Sequence, residues 1–123
     1  MVAITSVSTR AIDRARETPG GVASDRVVRS GPLQQSIVAL VEGARLAPHQ
    51  SDVPASLYLL AGAVRIEAEE PFVLQRGDLH QMPSQRRGVT ALADTVLLLT
   101  AVTKVSDPDS PEGLIEDHTL PLA

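Results

Sequence analysis

The stretch LYLLAGAVRIEA, residues 57–68, contains two short runs of β-forming residues with Ala61-Gly62 between them. Leu57–Leu60 is mostly apolar, and in Val64–Ala68 apolar side chains alternate with charged ones. Alternation with a period of two is typical of a strand that buries one face. Because a short turn containing glycine joins the two runs, the stretch predicts two successive strands.

Similar runs recur on both sides of this stretch, separated by turns that contain glycine, proline or aspartate. The turns recur about every eight to fifteen residues and no long helical pattern intervenes, which is typical of an antiparallel sandwich or barrel. We therefore predict an all-β fold. The predicted strands are 27–28, 34–42, 57–60, 64–68, 72–74, 79–82, 89–93 and 95–103.

The first residues carry a different pattern, which predicts a short helix over Ser8–Thr18. Ser8 or Thr9 is expected to cap its first turn, and Pro19-Gly20-Gly21 to end it. The predicted apolar stripe consists of Ala11, Ile12 and Ala15. The chain is thus divided into an N-terminal arm (1–24), a β-barrel (25–105) and an acidic, irregular tail (106–123).

Composition and charge argue against several kinds of function. The net charge of −4 and the scarcity of aromatic residues, Tyr58 and Phe72 alone, argue against a nucleic-acid partner. The absence of cysteine excludes disulfides, thiolate chemistry and cysteine-bound zinc. We see no secretion signal at the N-terminus and no apolar run near the roughly 20 residues of a membrane helix, so a cytoplasmic protein is expected.

Two segments resemble the conserved motifs of the cupin superfamily. Gly43-Ala-Arg-Leu-Ala-Pro-His49, followed by Leu57–Gly62, resembles the first motif. Gly77-Asp78 through Pro83 resembles the start of the second. The resemblance covers residues 34–103 and implies a double-stranded, jelly-roll-like β-barrel.

The same resemblance implies where a metal would bind, because cupin sites commonly use three histidines and one carboxylate. The first histidine falls on His49, the second on Ser51, the carboxylate on Ala55 or Ser56, and the last histidine on Gly88. One ligand position of the four is kept, and a lone imidazole holds a divalent ion too weakly to retain it. We therefore predict no metal and no other cofactor.

Three polar residues keep more than one interpretation open. His80 points either into the barrel, where it forms a marginal metal site beside His49, or away from it. His49 is either a structural residue, hydrogen-bonded to Ser51 or to a backbone carbonyl, or a ligand contact. Arg87, with Arg86 beside it, either lies in solvent or pairs with a carboxylate or phosphate of a ligand.

The favoured hypothesis is a metal-independent protein that binds a small organic ligand as a sensor, carrier or accessory protein. The predicted ligand-binding residues are His49, Ser51, His80 and Arg87. The alternative is an enzyme: a metal-dependent oxygenase with a rebuilt site, or an isomerase or epimerase with His49 or His80 as general base. A third possibility is that side chains fill the interior of the barrel. The protein would then act by association and not by binding a ligand.

Two apolar strands, together with the frequent pairing of cupins, predict a homodimer. Thr95–Val102 is apolar at nearly every position, so it is expected to lie between two sheets or against a partner subunit. Tyr58 alternates with Leu57 and Leu59, so it is expected on the outer face of its strand.

Overall fold

The computed structural model describes residues 1–103, and residues 104–123, which include the predicted acidic tail, lie outside that part. The described part has one helix, α1, and eleven strands. The elements are α1 Ile4–Glu17, β1 Val22–Ser30, β2 Leu33–Leu40, β3 Arg45–Leu46, β4 His49–Gln50, β5 Ala55–Ala61, β6 Ala63–Ile66, β7 Phe72–Gln75, β8 Leu79–Gln81, β9 Gln85–Arg86, β10 Val89–Ala91 and β11 Thr95–Val102. The helix of this part of the chain is not long and apolar enough to cross a membrane.

The strands form two large antiparallel sheets. One sheet has the order β1-β2-β11-β5-β8 and the other the order β3-β10-β6-β7. A separate pair, β4–β9, continues the ladder of β3 and β10 in the same register, because Leu46 lies opposite Val89 and His49 opposite Arg86. The all-β prediction is confirmed, although within residues 1–103 the large sheets are separate ladders and not one closed cylinder.

The hydrophobic core lies between the two large sheets, and every second residue of the inner strands contributes to it. In β5, Leu57 and Leu59 are buried while Tyr58 between them is 39% exposed, as the alternation predicts. The buried residues of this core are Val38, Leu40, Ala44, Leu57, Leu59, Val64, Ile66, Leu74, Val89, Ala91, Leu97 and Leu99. Aliphatic side chains therefore supply nearly all of its packing.

Helix α1 begins at Ile4 and ends at Glu17, so it starts earlier than predicted. The predicted caps Ser8 and Thr9 are wrong, because both lie inside the helix, and Ala3 precedes it without a side-chain cap. Its buried stripe is Val7, Ala11 and Ala15, spaced four residues apart, as one helix face requires. Packing of this stripe on the sheet, and not a capping side chain, therefore explains where the helix begins.

The stripe packs on the outer face of the five-stranded sheet. Ile37 and Ala39 of β2, together with Val96 of β11, are buried under it, and Leu98 is partly buried there. We expected β11 to lie between two sheets or against a partner subunit. The second sheet covers its inner face and α1 covers part of its outer face, so it does not lie between two sheets, and a partner subunit on the rest of the outer face stays a prediction.

The predicted strands all correspond to strands of the structure. β1 extends over Val22–Ser30, well beyond the predicted 27–28, because it pairs with β2 from end to end. The sequence did not predict β3, β4 and β9, since two residues are too few to establish an alternating pattern.

Candidate functional site

His80 points into the space between the sheets. It lies directly opposite Leu57 across the β5–β8 ladder, so the two side chains share a face, and Leu57 is 2% exposed. Its ring contacts Phe72 edge to face, with centroids 5.4 Å apart. Burial and the nearby charge of Arg87 lower the pKa of His80. The imidazole is therefore neutral near pH 7, with one nitrogen free to accept a proton or a hydrogen bond.

His49 lies opposite Arg86 across the β4–β9 pair, so their side chains leave the ladder on the same face. The Nδ1 atom of His49 is 3.5 Å from the carbonyl oxygen of Ala47, at the limit of a hydrogen bond. The Nε2 atom is buried and has no hydrogen-bond partner among residues 1–103. A buried polar atom of this kind costs about 1–3 kcal/mol unless a water or ligand satisfies it.

Arg86 is 4% exposed, whereas Arg87 is exposed. Of the two interpretations of these arginines, solvent exposure therefore does not hold for Arg86. Its two terminal nitrogens donate hydrogen bonds to the carbonyl oxygens of Pro83 and Val53, and so connect the loop before β5 to the loop after β8. Burial lowers the pKa of Arg86, but a guanidinium keeps its charge in proteins.

Ser51 has a local role in the structure. Its hydroxyl oxygen accepts a hydrogen bond from the amide of Val53 at 3.3 Å, and its own amide donates to the carbonyl of Ser84 at 2.9 Å. Ser51 therefore orders the loop that Arg86 also holds, and a ligand contact from its hydroxyl stays a prediction.

Gly88, the expected position of the last cupin histidine, does not face the interior. A Cβ atom built there lies 2.8 Å from Oε1 of Glu67, whose carboxylate pairs with Arg45 on the exposed side of the small sheet. A side chain at position 88 would therefore meet Glu67 and would not reach the interior. The side chain that enters the molecule after Pro83 is Arg86.

Two more polar residues face the interior and were not predicted. Gln34 is 2% exposed and Ser36 is 3% exposed. Both are an even number of residues from the core residues Val38 and Leu40, so their side chains lie on the same face of β2. Ser36 lies opposite Leu99, Leu99 opposite Leu57 and Leu57 opposite His80. The four residues therefore form one row across the sheet, on its inner face. Alternation along β2 is the signal that would have found both.

These polar groups lie toward one end of the sandwich. The carbonyl of Val53 accepts a hydrogen bond from Arg86, and Val53 packs against Ala101 and Ala55. Ala55 begins β5, two residues before Leu57, the cross-strand neighbour of His80.

In residues 1–103 no three histidine, aspartate or glutamate side chains come close enough to hold a metal ion.

Known proteins resemble this chain in structure and not in sequence. No protein-family model and no curated protein matches it. KdgF from a Halomonas species superposes with a TM-score of 0.64 and 25% identity, over 71% of this chain and 84% of its own. An RmlC-like cupin from Shewanella frigidimarina gives 0.63 and 18%, over 74% and 82%.

A longer protein matches more of the chain. The salicylate 1,2-dioxygenase of Pseudoaminobacter salicylatoxidans, in complex with gentisate, superposes with a TM-score of 0.70 and 16% identity. The match covers 94% of this chain but 34% of the dioxygenase. Since these solved structures share the fold over 71–94% of this chain, the resemblance found in the two sequence motifs is confirmed, and the chain is a protein of the cupin fold.

Proposed function

We propose that the chain binds a small organic molecule between its two sheets, near β4, β8 and β9, without a metal. The observation that carries the proposal is the pair of imidazoles in this region. His80 faces an aliphatic interior, and Nε2 of His49 is buried without a partner among residues 1–103. An apolar space with few polar groups is the usual form of a small-molecule site. The dioxygenase of the same fold is known in complex with gentisate, which supports a small organic ligand.

Charge supports the metal-independent form of the proposal. The buried guanidinium of Arg86 lies opposite His49, and a positive charge there disfavours a divalent cation. Two histidines without a carboxylate also fall short of the three or four donors that a tight site needs.

Metal content tests this proposal directly. We expect untagged protein, expressed in metal-supplemented medium, to carry a transition metal in fewer than about a tenth of its subunits, since too few donors converge. Inductively coupled plasma mass spectrometry measures the ratio, with a metal-binding cupin purified in parallel as the control. An occupancy near one metal per subunit would overturn the proposal and favour the oxygenase alternative.

An enzyme remains the second candidate, and the lowered pKa of His80 favours it. A neutral imidazole near pH 7 can act as general base in an isomerase or epimerase. Among residues 1–103 no carboxylate forms an ion pair or hydrogen bond with His80 to orient it, so we rank this candidate below ligand binding.

We also propose that a second copy of the chain covers the outer face of the five-stranded sheet beside α1. Leu79 is 68% exposed and lies in one row with Tyr58 and Leu98. The next row consists of uncharged polar residues, Gln81, Ser56 and Thr100. A surface without charge can meet its own copy across a two-fold axis without like-charge repulsion.

The substitution Tyr58→Asp tests this dimer. It places a carboxylate from each copy in the contact, so the mass in solution should fall from about twice the chain mass of 13.0 kDa to one chain mass. Sedimentation velocity measures the change. Val73→Asp, at a 46% exposed position on the other large sheet, is the matched control and should leave the mass unchanged. A wild-type protein of one chain mass would contradict the proposal.

The predictions of a cytoplasmic location and of no nucleic-acid partner stay predictions, and the second agrees with the net charge of −4.

A further inference from the structure

We propose that the interior site selects an anionic group, a carboxylate or a phosphate, and that Arg86 supplies the pairing charge. The inference rests on the proposed function, because it names the chemical class of the ligand bound at that same site.

Of the ten arginines in residues 1–103, nine are exposed and one is buried. Arg14, Arg16 and Arg45 pair with carboxylates, and the side chains of all three are about half exposed. Arg86 is the buried one, and no carboxylate of the described residues forms a salt bridge with it. The usual relation between burial and ion pairing is therefore reversed, since buried charges in proteins are normally paired.

The hydrogen bonds of Arg86 offset only part of this cost. Two of its five N–H groups donate to the carbonyls of Pro83 and Val53. Carbonyl oxygens satisfy the donors but do not neutralise the charge, and an uncompensated buried ion costs several kcal/mol. The N–H groups that remain form the planar fork that binds a carboxylate or phosphate with two parallel hydrogen bonds.

His49 adds a second donor on the same face. Nε2 donates a hydrogen bond to an anion when it carries a proton, which in a neutral ring requires that the 3.5 Å contact between Nδ1 and the carbonyl of Ala47 is not a hydrogen bond. Arg86 and His49 together therefore satisfy an anionic group, and a bound anion in turn satisfies both of them.

The chain offers a direct way to observe this site, because it contains only three histidines. Their ring nitrogens give few signals in long-range ¹H–¹⁵N spectra, and His49→Gln and His80→Gln assign two of them. The probes are acetate, succinate and inorganic phosphate, each titrated at constant ionic strength, with succinamide as the neutral counterpart of succinate. We expect at least one anion to shift the His49 signal saturably, and succinamide to leave it unchanged.

Two variants identify the charge responsible. In Arg86→Gln the apparent affinity for the anion should fall at least about tenfold, because the charged fork is lost. Arg87→Gln, which removes an exposed neighbour, should bind within about twofold of wild type, since an exposed charge contributes little. If Arg86→Gln does not fold, Arg86→Lys keeps the charge and should keep binding while losing affinity.

The outcomes separate the two proposals. A neutral probe that shifts His49 or His80 while all three anions leave both unchanged would overturn the anionic class and leave the ligand site in place. No response to either kind of probe would count against both. Equal anion affinity in wild type and Arg86→Gln would overturn the assignment to Arg86.

Discussion

Replacing Arg86 by alanine is expected to lower the free energy of unfolding by about 3 kcal/mol. The wild-type guanidinium donates to the carbonyls of Val53 and Pro83, and the first of these hydrogen bonds is buried. Hydrogen bonds from a charged donor contribute about 1.5–3 kcal/mol each, and removing the buried charge offsets part of the loss. Urea unfolding followed by circular dichroism measures the difference.

The neighbouring residue supplies the control. Arg87→Ala removes the same side chain from an exposed position, so it should change the free energy of unfolding by less than about 0.5 kcal/mol. Equal losses in the two variants would show that Arg86 does not hold the two loops together. A large loss in Arg86→Ala would also indicate that Arg86→Gln is at risk of not folding. The anion experiment would then use Arg86→Lys.

Gly62→Ala is expected to destabilise the fold by about 4 kcal/mol or to prevent folding, because two costs combine at this position. Gly62 has a φ of +85°, which side chains other than glycine adopt only with strain. A Cβ atom there would also lie 2.8 Å from Cα of Thr95 and against the carbonyl oxygen of Asp94. Since the obstacle is the backbone of the turn before β11, a side-chain rotation cannot relieve it.

Gly77→Ala is the matched control for this steric cost. Gly77 has nearly the same backbone conformation, with a φ of +92°, but no atom lies within 4 Å of the position of its Cβ. The conformational strain alone should cost about 1–2 kcal/mol. Chemical unfolding of both variants measures the two values, and an equal loss would mean that the approach of the β5–β6 turn to Thr95 does not constrain the fold.

The strands and the turns were predictable because neighbours in the chain determine them. Alternation over residues 57–68 predicted two strands with a turn between them and placed Tyr58 outside, and both were confirmed, although β5 and β6 belong to different sheets. The turn glycines Gly62 and Gly77, which carried the resemblance to cupins, both adopt positive φ. Gln34 and Ser36 also fit the alternation of inward and outward side chains along β2, so the same pattern could have predicted their inward orientation.

The candidate site was less predictable, since it depends on which distant segments meet. Arg86 and Arg87 are adjacent and chemically identical, yet one is buried because the carbonyl of Val53 lies within its reach. Gly88 faces Glu67 and not the interior because β10 pairs with β6 in one particular register. A resemblance that extends along the sequence cannot show either contact.

The sequence by itself determined the all-β class, the order of most strands and the cupin motifs, because periodicity and turn chemistry act between residues close in the chain. The tertiary structure decided that α1 covers the outer face of β2 and β11, that His80 points inward and that Arg86 is buried. Each of these depends on contacts between elements far apart in the chain, where burial and hydrogen bonding, and not local propensity, select the arrangement.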